Sequence, residues 1–60
     1  MKMGMKIIHR NKDGKIVDEV LNVNYVEISA VDEEITVYLA PQGTGYKTYR
    51  LDDVVQIQAI

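Results

Sequence analysis

Tyr38, Tyr46, Lys47 and Arg50 fall within the stretch "YLAPQGTGYKTYR", residues 38–50, and of all the side chains they most invite a ligand. Aromatic rings stack on bases and cations meet phosphates, so these four residues would suit a small barrel that binds single-stranded nucleic acid. The glycines between them do not make a phosphate loop. Such a loop needs GxxxxGK[ST] feeding a helix, or three glycines between strand and helix. "GTGYK" has two glycines, and both of its flanks read as strand. Charge also opposes nucleic acid: the formal net charge is −2, whereas backbone binding calls for a positive footprint.

Other candidate chemistry fails on spacing. "HRNKDGKIVDEV" resembles a calcium loop at Asn11, Asp13, Gly14 and Ile16, but it puts His9 and Val20 where carboxylates are required. The acidic pairs Asp18-Glu19, Glu33-Glu34 and Asp52-Asp53 do not converge on a site. Neighbours within a strand point to opposite faces, and the latter two pairs fall in turns. His9 is the single histidine and Ser29 the single serine, with nothing in sequence to bring them together for nucleophilic catalysis. Cysteine is absent, which removes disulfides and thiolate metal sites. A chain of this length also has little volume for an enclosed pocket of ~300 Å³. The expectation is a protein that is not an enzyme and carries no metal or cofactor.

The elements that must position these residues are strands. Turn signals recur at "NKDGK", "NVN", "VDEE", "PQGTG" and "LDD", and the runs between them are rich in Val, Ile, Tyr and Thr. No window keeps the i, i+3, i+4, i+7 pattern of a helix. Strands are expected near 5–10, 15–21, 25–30, 35–40, 46–51 and 54–59. Folding 35–40 on 46–51 around "PQGTG" sets Ala40 opposite Tyr46 and Tyr38 opposite Thr48. One face then carries Ile35, Val37, Leu39, Tyr49 and Leu51, and the other Thr36, Tyr38, Tyr46, Thr48 and Arg50. Lys47 falls on the apolar side opposite Leu39, at the end of the sheet. In the first hairpin, "KDGK" permits a two-residue Asp13-Gly14 turn or a longer turn with Gly14 as bulge, which leaves open whether His9 or Arg10 faces inward. Leu21 and Val23 sit out of phase with Val26 and Ile28, so a bend is expected near Asn22–Asn24. The fold class is all-β: a small antiparallel meander of five or six short strands, as an SH3-like barrel or a rolled open sheet.

Sixty residues make one domain, expected over 5–60 behind a flexible tail at 1–4, and a core this small stabilises poorly. Without disulfides or a metal, association with another chain is the remedy left. "MKIIHR" and "VVQIQAI" look apolar on both faces, and they would form edge strands. Ile8, Val54 and Ile60 are therefore candidate self-association residues, and the expected partner is a second copy or another protein. Charge is uneven: Lys2, Lys6, Arg10, Lys12 and Lys15 oppose only Asp13 in residues 1–17, and residues 18–34 carry six acids and no base. Either neighbouring strands neutralise one another within the fold, or one charged surface steers a partner. With no apolar run near the ~18 residues of a membrane span and no signal-peptide core, the expected location is the cytoplasm.

The segments "KDGKIVDEV", "NVNYVEI", "EITVYL" and "YRLDDVVQIQ" resemble the short all-β proteins of unknown function encoded in phages and prophages of Gram-positive bacteria. That likeness runs over about residues 5–59 and implies no catalytic residues. "NVNYVEI" and "YRLDDV" also resemble the central strands of LytTR-type DNA-binding domains. This chain is shorter than that domain, acidic, and without its basic recognition loops.

Overall fold

The structure, a computed structural model, describes residues 3–60. Branched and aromatic side chains favour extended backbone, and five strands form: β1 (Met3–Arg10), β2 (Ile16–Ser29), β3 (Glu34–Leu39), β4 (Tyr46–Arg50) and β5 (Val54–Ala59). A single 3-10 turn, Leu51–Asp53, joins β4 to β5. All pairings are antiparallel, in one open sheet of order β4-β3-β2-β1-β5. No helix among the described residues is long and apolar enough to cross a membrane. β1 begins at Met3, earlier than the tail expected over 1–4 would allow, and residues 1–2 lie outside the described residues.

The runs expected as separate strands at 15–21 and 25–30 are one strand of 14 residues. The expected bend is a bulge within it: register on β3 shifts between Val23 and Tyr25, leaving Asn24 as the extra residue. That one insertion lets Leu21 and Val23, then Val26, all face the core despite their opposite parity. β2 therefore serves two pairings, with β1 along residues 16–23 and with β3 along 23–29.

The first hairpin takes the longer of its two turns. The Asn11 N–H donates to the Lys15 carbonyl at 2.8 Å, and the Asn11 Oδ1 accepts from the N–H groups of Asp13 and Lys15. Gly14 adopts φ +80°, which its missing Cβ permits. This register turns His9 inward and Arg10 outward, opposite Ile16.

The second hairpin differs from expectation by two residues. Tyr38 faces Tyr46, Val37 faces Lys47 and Ile35 faces Tyr49. The turn is centred on Gln42, one residue earlier than the expected pairing would place it. The Thr44 N–H bonds to the Pro41 carbonyl, the Leu39 N–H bonds to Gly45, and the Ala40 N–H goes to Asn22 of β2 instead of to β4. Slipping by two preserves which side chains point inward, because side chains alternate with period two. Leu51 leaves the ladder for the 3-10 turn, its N–H bonded to the Glu33 carbonyl at 2.9 Å.

The core is small. Ile7, Val23, Ile35 and Val37 are buried, and Met5, Leu21, Val26, Leu39, Tyr49, Leu51, Val54 and Ile57 pack around them.

Candidate functional site

Glu19 lies on the inward face of β2, opposite Ile7, in phase with Leu21 and Val23. A carboxylate there needs partners, and β4 supplies them. Lys47 donates to Glu19 Oε2, and the Tyr49 hydroxyl donates to Oε1 at 2.6 Å. His9 Nε2 lies 3.2 Å from the same Oε1, and its ring is tilted against Tyr49 with centroids 4.7 Å apart. β4 touches only β3 in the ladder, so these contacts show the sheet curling until β4 overhangs the first half of β2. Burial alone would raise the Glu19 pKa. The hydrogen bonds from Lys47, Tyr49 and His9 and the Lys47 charge outweigh it, leaving the carboxyl below its ordinary value. Tyr49 moves the other way: burial and its bond to the Glu19 anion raise its hydroxyl far above the usual phenol range. Glu19 is thus held ionised and Tyr49 protonated, so the cluster draws the roll together.

The outward face carries the tyrosines. Tyr25 and Tyr38 stack at 4.4 Å with planes 17° apart, and Tyr46 tilts against Tyr38 at 6.0 Å. The Tyr38 hydroxyl donates to Glu27 at 3.2 Å, which raises its pKa. These rings border an open concavity of about 330 Å³ at the "PQGTG" loop. Of the residues expected to form a nucleic-acid surface, Tyr38 and Tyr46 share this face. Arg50 lies at the far end of β4 opposite Glu34, and Lys47 is on the inward face with Glu19.

The candidate self-association residues also divide. Val54 packs against the core, Ile8 lies on the outward face between Asp18 and Gln56, and Ile60 is 67 % exposed, its side chain folded over Gly4. Asp18 and Glu19 point to opposite faces, Asp18 toward Lys6 at 3.9 Å, so the charge segments do meet across β1 and β2. Ser29 binds Asp32 within the β2–β3 turn, far along β2 from Val17, the residue opposite His9.

Two features escape a reading of local pattern. Tyr25 joins the tyrosine face only because of the bulge at Asn24. The Glu19 cluster had one visible signal, an acid in phase with the apolar face of β2, but its β4 partners, Lys47 and Tyr49, come from 28 and 30 residues away. Comparison with protein-family models, curated proteins and solved structures gives no match.

Proposed function

We propose that this chain is a non-enzymatic β-module acting through protein contacts, and that one partner is a second copy of itself. One observation carries the reading. Among the described residues four hydrophobics are buried, while eight large ones are at least half exposed. A domain that leaves more large apolar groups at the surface than it buries gains stability by covering them. Several lie on the outward face of the β2–β1–β5 region: Ile16 at 58 %, Val20 at 60 % and Ile60 at 67 % exposed, with half-buried Ile8 among them. β5 is also a sheet edge, and its Val54–Ala59 segment carries no charge to deter pairing with another strand.

The mode is burial of this face, with strand addition along β5. Sedimentation equilibrium at micromolar concentration tests it. Wild type is expected to sediment above the monomer mass, and Val20→Asp and Ile60→Asp to shift it to monomer with an unchanged circular dichroism spectrum, since both positions are exposed. A wild-type monomer throughout the range overturns the reading.

A further inference from the structure

The roll brings β4 beside the tip of the first hairpin and leaves a seam between them. Its groove of about 390 Å³ is lined by Arg10 and Lys12 on one side, Thr48, Tyr49 and Arg50 on the other, and Asp53 at its end. Three cations from opposite ends of the sequence gather here in a chain of net charge −2. None of the three forms an ion pair among the described residues; Arg10 reaches only the Asp52 carbonyl, at 3.5 Å.

The backbone along the seam has free hydrogen-bonding groups. In an antiparallel ladder, residues alternate between those bonded to the neighbouring strand and those turned away from it. The Leu39-to-Gly45 and Leu51-to-Glu33 bonds mark the inward phase. Thr48 and Arg50 are in the other phase, so the Thr48 N–H and C=O and the Arg50 N–H point into the seam, while the Arg50 carbonyl, at the N-cap of the 3-10 turn, serves that turn. Tyr49 offers no free stacking face there, because its ring lies against His9 and its hydroxyl is given to Glu19.

We infer that this seam binds an extended acidic peptide, which adds as a strand to the β4 edge and sets its carboxylates against Arg10, Lys12 and Arg50. Cations beside an unpaired strand edge match a peptide backbone with acidic side chains. A nucleic acid could use the cations but not the ladder, and the stacked tyrosines lie on the outward face beside the "PQGTG" loop. This site is separate from the proposed contact face on β5 and stands without it.

The probe is a fluorescein-labelled peptide of about eight residues alternating Glu and Val, followed by anisotropy. Three comparison ligands are a Gln-for-Glu peptide, the acidic peptide with alternate amides N-methylated, and an oligothymidylate. The acidic peptide is expected to bind and to weaken as salt rises, with the Gln and N-methylated peptides bound at least about tenfold more weakly. Arg10→Ala and Arg50→Ala are each expected to cost about two- to fivefold and the double variant about tenfold, while Lys6→Ala, outside the groove, changes nothing. Failure of the acidic peptide to bind at low salt overturns the inference. So does equal binding of the N-methylated peptide, which would show charge attraction without strand pairing, or oligothymidylate binding of equal strength that is lost in the same variants.

Discussion

Removing the Glu19 carboxylate should loosen the roll by an amount that can be worked from its partners. The Tyr49 bond, at 2.6 Å to a charged acceptor that is 26 % exposed, belongs near the lower end of the roughly 1.5–3 kcal/mol range for such bonds. The Lys47 side chain is 44 % exposed, so its pair contributes about 0.2–1 kcal/mol. The His9 contact adds about 1 kcal/mol at most. Glu19→Ala is therefore expected to cost about 2–3 kcal/mol. A domain of this size has only roughly 3–9 kcal/mol to lose, so the midpoint of thermal unfolding should fall by roughly 10–20 °C.

Urea unfolding followed by far-ultraviolet circular dichroism measures the cost, and a double-mutant cycle with Tyr49→Phe isolates the central bond. A coupling of about 1 kcal/mol is expected. The pH dependence has a definite sign. The folded-state pKa of Glu19 lies below its unfolded value, so its contribution is complete above the unfolded value and disappears as pH falls through the folded one. The stability gap between wild type and Glu19→Gln should thus be widest near neutrality and close in acid. A Glu19→Ala cost under about 0.5 kcal/mol, the range of ordinary surface changes, or a gap indifferent to acid, would refute the claim that this carboxylate fastens β4 over β2.

Two further outcomes test the faces and the first turn. Ile7→Ala, at a position with no exposure, should cost about 2–5 kcal/mol in urea unfolding, whereas Val31→Ala, 94 % exposed and outside the proposed contact face, should stay within about 0.5 kcal/mol. Gly14→Ala places a Cβ at φ +80° and should cost about 1–2 kcal/mol by thermal melting, with Gly14→Asn costing less because Asn tolerates that conformation.

What could be read in advance was whatever depends on parity. Val37 and Thr36 alternate whatever the loop does, so the inward and outward sets of β3 and β4 survived a register two residues away from the expected one. The phase change between Val23 and Val26 likewise announced a bend near Asn22–Asn24, without singling out Asn24 as the inserted residue. Register itself was not legible, because it depends on hydrogen bonds that composition does not rank. In the first turn the Asn11 side chain claims two N–H groups, and in the second Ala40 bonds to β2. The Glu19 cluster and the basic seam were further out of reach. Each exists only once β2 has bent enough for β4 to approach β1, and that curvature is a property of the whole sheet. His9 illustrates the dependence: its facing was undecided until the Asn11 turn set it, and only then could it meet Glu19.

The two edges of the sheet face different physical demands. Along β4, Lys47 is joined to Glu19 on the inward face, but Arg50 stands beside Arg10 and Lys12, so two copies brought edge to edge there would set like charges together. Such charges are a common guard against strand pairing, and they leave the edge open to a strand of opposite sign. Along β5 the corresponding residues are Gln56, Ile57, Gln58 and Ala59, with no charge to repel an identical strand. A second copy is therefore directed to β5 and an acidic segment to β4. Because the strand order puts these edges at opposite ends of the sheet, occupying one leaves the backbone of the other free. Self-association and peptide binding should accordingly be separable: Ile60→Asp should abolish the first and preserve the second, and loss of both in that variant would place them on one surface.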